Sequence, residues 1–263
     1  MKKPTSASLV LITGASGGIG ADLAVEYARR GHALILSARR VAELEQLAAR
    51  LQRDHAVQVT VVPADLADPA GVDRLASTVE AMGQPLAALV NNAGYGLYGE
   101  FADTDLADTQ RMMRLNMEAP VVLVHRLLPA LRRARGHVLN VASTAAFQPG
   151  PYMAVYYATK SFLLSFSEAL AEELHDSGVT VTALCPGPTA SGFQDRAAMQ
   201  DSALVKDKRL PSAAVVAAYG VTAAFRGQRV AVHGWQNWLL AQSVRFTPRR
   251  VVTRLVAHLS RRA

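Results

Sequence analysis

The sequence of 263 residues holds a single cysteine, Cys185, so no disulfide can form within the chain. That fits a reducing compartment. The seven histidines lack the spacing of metal ligands, and no metal site is expected. No apolar run approaches the roughly 20 residues needed to span a bilayer. The opening "MKKPTSASLVLITGASGG" carries two lysines, as a secretion signal would, but its apolar run is brief and breaks into glycines. It reads as a first strand and turn, with a cytoplasmic location expected. Repeats, low-complexity blocks and recognition modules are absent, and basic residues do not alternate with aromatic ones. A nucleic-acid partner is therefore not expected, despite a net charge of +7. Part of that charge is concentrated: Arg245, Arg249, Arg250, Arg254, Arg261 and Arg262 crowd the C-terminal end.

What the chain does have is apolar material, 50% of its residues, enough for one packed domain over residues 1–263. Short β-rich runs, "SLVLIT", "ALILSA", "QVTVVPA", "LAALVNN", "HVLNVAS", "VTVTALC" and a weaker "RVAVHG", alternate with helical patterns near 18–30, 40–54, 69–82, 105–133 and 155–176. The strand candidates are continuously apolar, as strands buried on both faces are. The pattern predicts an α/β fold: a Rossmann-type, doubly wound parallel sheet of about seven strands flanked by helices, with a C-terminal helical extension over 235–263. Such sheets bind ligands beyond the carboxyl ends of their strands.

Those ends carry the informative residues. After the first strand, "TGASGGIG" places Gly14, Gly18 and Gly20 at a strand-to-helix turn, where a pyrophosphate can approach the backbone and the start of a helix dipole. Ser16 and Ile19 belong to the same turn. The second strand ends "SARR" where an acid would bind the adenosine ribose of NAD. Arg39 and Arg40 instead suit a 2′-phosphate, with Arg39 the main contact, and so NADP(H). A solvated pair opening the next helix is the other reading. Beyond the third strand, Asp65 is placed to accept from the adenine amino group, with Leu66 beside it. Asp65 could also cap the helix from Pro69, although Asp68 is better placed for that. The fourth strand ends "VNNAGYG"; Asn92, Ala93 and Gly94 would line the cleft, and Asn91 is equally a buried amide tying strands together. In "VYYATKSF", Tyr156 stands four residues and Tyr157 three residues before Lys160, so either phenol can reach the lysine on a helix.

Taken together, "TGASGGIG", "NNAG", Asn116 in "RLNMEAP", Ser143 in "NVAST", Tyr156 and Lys160, and "CPGPTAS" resemble, in order and sheet position, the motifs of the short-chain dehydrogenase/reductase superfamily. The resemblance selects Tyr156 over Tyr157. It implies a carbonyl/alcohol oxidoreductase with Asn116, Ser143, Tyr156 and Lys160 as the catalytic set. Tyr156 exchanges the proton, its pKa lowered by Lys160 and by the oxidised nicotinamide. Lys160 also holds the nicotinamide ribose, Ser143 donates to the reacting oxygen, and Asn116 positions a water. Pro186, Gly187, Thr189 and Ser191 are implied at the nicotinamide end, although the second proline, Pro188, can shift the pairing by a residue. A homodimer or homotetramer, paired through the helices near 105–133 and 155–176, is implied as well.

Substrate choice falls to the loops. Residues 191–210 could close as a lid, and Phe147, Tyr152, Met153, Tyr95, Phe193 and Met199 would make an apolar lining for a hydrophobic ketone or secondary alcohol. The basic C-terminal extension would pack on the body or a second subunit in preference to a peripheral membrane contact. The competing function is a non-catalytic NADP(H)-sensing protein on the same fold, against which the intact Ser–Tyr–Lys set speaks.

Overall fold

The computed structural model describes residues 8–192 and 210–260. Seven strands form a single parallel sheet in the order β3-β2-β1-β4-β5-β6-β7. They are β1 (Leu9–Thr13), β2 (Ala33–Ser37), β3 (Val59–Val61), β4 (Leu86–Asn91), β5 (His137–Val141), β6 (Thr180–Cys185) and β7 (Val230–Val232). Each coincides with an expected run. β1, β2 and β5 are buried at every position, which is why their sequences show no polar face.

Side-chain alternation divides the core in two. Val10 and Ile12 of β1 face one apolar cluster, with α1 (Gly18–Arg29) and α2 (Val41–His55) above it. Leu9 and Leu11 face the other, covered by α3 (Pro69–Ala81). Asp68 caps α3 by accepting from the Ala70 N–H at 3.1 Å, and Pro69 follows at the first helical position, where a missing N–H is harmless.

The expected helix over 105–133 is broken. α4 (Leu106–Met113) passes through a π turn, Arg114–Glu118, into α5 (Ala119–Ala134). The wide turn lets the Asn116 amide aim inward, a common use of π bulges. α6 (Ala154–Glu173) carries Tyr156 and Lys160. A helix not expected from the sequence, α7 (Ala213–Phe225), covers the first cluster through Val216, Ala217 and Val221. Its run of alanines and valines has too little polar contrast to show a period. The C-terminal extension is α8 (Trp235–Ser243) and α9 (Arg249–Ser260). Among the described residues, no helix is long and apolar enough to cross a membrane. Of the expected lid, only Ser191, Gly192 and Leu210 are described; Phe193 and Met199 lie outside the described residues.

Candidate active site

β1 and β4 are neighbours with their crossovers leaving in opposite directions, so a crevice opens at their carboxyl ends. The Thr13 hydroxyl joins its two sides. It donates to the Val90 carbonyl at 3.2 Å and accepts from the N–H groups of Asn92 and Ala93 at 3.0 and 3.1 Å. The Asn92 side-chain amide donates to the carbonyls of Thr13 and Gly14 at 2.9 and 3.1 Å, clamping the glycine-rich turn onto β4. Gly14 and Gly18 have φ of +66° and +55°. A Cβ on Gly20 would lie 2.3 Å from the Gly14 carbonyl oxygen, so α1 can start this close to the turn only with glycine there. No side chain caps the start of α1 and no acid sits in its first turn, which leaves its leading N–H groups for an anion. Ile19 packs against the first core cluster. A Cβ on Gly18 would lie 3.3 Å from the Ser191 Cβ, so the segment after β6 folds back over the turn.

Both arginines after β2 are exposed. Arg40, the N-cap residue of α2, leans onto the turn: one of its terminal nitrogens donates to the Ser16 carbonyl at 2.9 Å and to the Ser16 hydroxyl at 3.2 Å. Another pairs with Glu43 at 3.0 Å. Arg39, expected to be the main contact, is in no ion pair among the described residues, and its charge reaches Asp65 and Tyr95. Asp65 accepts from the Ala67 N–H at 3.0 Å and pairs with Arg111 at 2.7 Å. Burial would raise its pKa, but those two hydrogen bonds and the guanidinium charges hold it below the usual carboxylate value. Sequence reasoning missed Arg111, which comes from α4, far along the chain. Leu66 buries its side chain in the second core cluster and leaves only its backbone to the crevice.

Ser143, at the end of β5, caps a short helical turn, Thr144–Phe147, by accepting from the Ala145 N–H at 3.1 Å. Its side chain lies close enough to that of Tyr156 to favour the ionised phenol. The Lys160 ammonium donates to the Val141 carbonyl at 2.8 Å and lies 5.8 Å from the centre of the Tyr156 ring. A Cβ on Gly94 would fall 3.0 Å from Asn116 Oδ1 and 3.5 Å from Lys160 Nζ, so glycine keeps this floor open. The Asn116 amide donates to the Tyr95 carbonyl and the Thr159 hydroxyl, each at 3.0 Å. The fold thus brings together all four residues of the expected set. Asn91 proves to be the strand tie: it donates to Asn140 at 2.9 Å, and Asn140 donates to Ser167 of α6 at 2.9 Å.

Burial sets the protonation of this cluster. It pushes the Tyr156 phenol well above its ordinary value, against a smaller lowering by the nearby Ser143 side chain. It lowers the Lys160 ammonium to about 8. The expected lowering of Tyr156 by Lys160 is therefore not met in the protein alone. The ammonium donates to the Val141 carbonyl, and burial dominates the phenol. Tyr157 packs, as expected of the neighbouring face: a Cβ on Gly150 would run into its ring at 2.3 Å.

A small cavity of about 40 Å³ lies against Tyr156, lined by Leu97, Met112, Met153 and Val155 among others. Sharing Leu97, Gly99, Thr104 and Tyr152 with it, a wider pocket of about 610 Å³ opens outward. Met153 and Tyr152 thus lie where the sequence reading placed them. Tyr95 packs beside this cluster and donates to the Asp108 carbonyl at 3.0 Å, whereas Phe147 turns away to pack with Cys185 and Val232. α9 also joins this wall, through Val252 and Val256, against Met153, Tyr156 and Tyr157. α8 lies over the segment after β6, with Asn237 within 3.0 Å of where a Gly187 Cβ would stand. Pro186 accepts from the Thr144 N–H at 2.9 Å, and the Thr189 hydroxyl donates to the Gly187 carbonyl at 2.9 Å. Among the described residues, no group of three or more acids, histidines or cysteines could hold a metal.

A glycine turn at the crevice of a doubly wound sheet, with a serine, tyrosine and lysine beyond the next strands, defines a dinucleotide-binding protein of the oxidoreductase type. The short chain dehydrogenase family model matches residues 8–201, and the chain belongs to that family. It is similar to an 11-beta-hydroxysteroid dehydrogenase-like protein 4A of Arabidopsis thaliana, 37% identical over 186 residues, which is 70% of this chain and 62% of the relative. The chain thus spans about three-fifths of that relative's length. A short-chain dehydrogenase from Sphingobium yanoikuyae in complex with NADPH superposes with a TM-score of 0.80 at 31% identity, covering 91% of this chain and 94% of that one. A bulky-bulky ketone specific alcohol dehydrogenase from Comamonas testosteroni superposes with a TM-score of 0.79 at 28% identity, covering 92% and 93%.

Proposed function

We propose that the chain is an NADP(H)-dependent oxidoreductase that interconverts a carbonyl and a secondary alcohol, with a hydrophobic substrate. The observation that carries this reading is the gathering of Ser143, Tyr156 and Lys160 beside a small, mostly apolar cavity, across the crevice from the glycine turn. The crevice fits the cofactor. Gly14, Gly18 and Gly20 leave room for a pyrophosphate at the uncapped start of α1, where Ser16 and Ile19 sit. Arg40 and Arg39 are placed for a 2′-phosphate, with Arg40 already anchored to the turn. Asp65, steadied by Arg111, and the Leu66 backbone face the adenine side. Asn92, Ala93 and Gly94 form the floor, and Pro186, Gly187, Thr189 and Ser191 the nicotinamide end.

The nicotinamide supplies or accepts the hydride when bound. The chain's residues handle the proton. With its pKa raised by burial, Tyr156 is a neutral phenol at pH 7 and so a competent donor to a developing alkoxide. Ser143 can donate to the same oxygen, which stabilises charge as it forms. Lys160, held by Val141, and Asn116, held by Tyr95 and Thr159, lie behind the tyrosine on the Gly94 floor. They lead its proton exchange toward the ribose side. Self-association through α4, α5 and α6, where Phe162 is exposed, and a cytoplasmic location belong to the same reading. NADPH consumption against a panel of apolar aldehydes, ketones and quinones tests it. Turnover of apolar carbonyls is expected. Tight NADPH binding without turnover of any of them would instead establish a cofactor-sensing protein.

A further inference from the structure

The C-terminal helices bury one face and leave another apolar face in water. On α9, Val252 and Val256 point into the pocket wall. The stripe beside them, Val251, Leu255 and Leu259 at four-residue spacing, is 54%, 57% and 39% exposed. On α8 only Ala241 is buried, while Trp235 is 74% and Trp238 53% exposed. Phe246, between the helices, is 87% exposed. Large apolar side chains gathered this way mark an interaction surface.

The charge pattern identifies the partner. No aspartate or glutamate follows Asp207 in the sequence. Arg245, Arg249, Arg250 and Arg254 are exposed among those apolar residues, and none is in an ion pair among the described residues. We infer that residues 235–260 are a docking surface for an anionic lipid bilayer, lying in the headgroup plane without crossing it. Tryptophans suit that interface, and each arginine gains from lipid phosphates. A second copy of the chain is the weaker fit, because a two-fold contact across this face would set arginine against arginine. The packing expected for the extension and the lipid contact thus use neighbouring faces of one helix. Tyr98 links the dock to the wider pocket: it lines that pocket, and its hydroxyl donates to the Ser260 carbonyl at 2.6 Å. That pocket is also rimmed by Glu100, Asp103, Asp105 and Asp108, so the dock and the pocket mouth differ in charge.

Co-sedimentation of the full chain with large unilamellar vesicles tests the dock without using turnover. Vesicles of phosphatidylcholine alone are compared with vesicles containing about a third phosphatidylglycerol, at low and high salt. The wild type should pellet with the anionic vesicles and be released by salt. R249E/R250E should lower the partition coefficient at least about 25-fold, taking the usual gain per arginine at an anionic surface. W235S/W238S should weaken it as well, with melting temperature showing that both variants fold. Three results would overturn the inference: no pelleting with anionic vesicles at low salt, pelleting unchanged in both variants, or an oligomer in solution that both variants dissociate. The last would put a second copy on this face. Loss of vesicle binding with carbonyl reduction intact, or the converse, separates failure of the dock from failure of the proposed activity.

Discussion

The Tyr98 hydroxyl donates to the Ser260 carbonyl at 2.6 Å, joining the loop after β4 to a helix 162 residues later. The Tyr157 phenol lies near Ser260 as well, which tempers the rise that burial gives its pKa. The end of α9 is therefore held by one tyrosine that lines the pocket and flanked by another next to the proposed proton donor. Replacing Tyr157 with Phe keeps the ring against Gly150 and removes only the hydroxyl. We expect a loss of about 1 kcal/mol of stability, read by chemical denaturation, with kcat within a few-fold of wild type. A Tyr157→Phe enzyme as inactive as one lacking Tyr156 would mean that the sequence resemblance picked the wrong ring.

The glycine turn makes a steric prediction. Gly20→Ala puts a methyl group 2.3 Å from the Gly14 carbonyl oxygen and 2.4 Å from the Asn92 amide. Relief requires α1 to retreat from β4, at a typical overpacking cost of about 1–3 kcal/mol. Both the melting temperature and the NADPH affinity should fall, the latter measured by fluorescence titration. Unchanged affinity would detach this turn from the cofactor.

Most of the fold could be read from the chain because its strands are buried on both faces. "LVLIT" and "HVLNV" carry no competing period, and each is followed by a helix long enough to show one. α7 escaped because alanine and valine surround it on every side. The candidate site divides the same way. Tyr156, Lys160 and the glycines sit at fixed local spacings and can be seen in sequence. The Asp65–Arg111 pair and the packing of Val252 against Met153 depend on tertiary contacts between distant segments, which no local pattern encodes.

The arginines after β2 predict cofactor choice. Charge-assisted hydrogen bonds to a phosphate are worth about 1.5–3 kcal/mol, roughly ten- to a hundredfold. Replacing Arg39 and Arg40 together with Asp should lower the NADPH-to-NADH ratio of kcat/KM by at least that much. The single substitution Arg40→Ala, which also frees Ser16, should have the larger effect of the two arginines taken singly. A wild type that uses NADH as well as NADPH would contradict the assignment.

A buried histidine far from the crevice predicts acid sensitivity. His137 Nε2 and the Tyr27 hydroxyl are 2.6 Å apart, and burial lowers the His137 pKa to about 4. Between pH 6.5 and about 4 the unfolded chain takes up a proton that the folded chain refuses. Stability is therefore full above that window and is lost as pH falls through it, by up to a few kcal/mol. In His137→Phe that part of the acid dependence should disappear, whatever the variant's absolute stability. Denaturant midpoints measured from pH 7.5 to 4.5 read the slope; identical slopes in both proteins would show that His137 is not the group responsible.

The most direct test of the account compares Tyr156→Phe with wild type for NADPH binding and for single-turnover reduction of an apolar ketone. The phenyl ring preserves the packing around Met153 and removes the proton that is transferred to the reacting oxygen. The account predicts unchanged NADPH affinity with the reduction rate down by about 100-fold to 10,000-fold. Reduction at a near-wild-type rate would show that the proton comes from elsewhere.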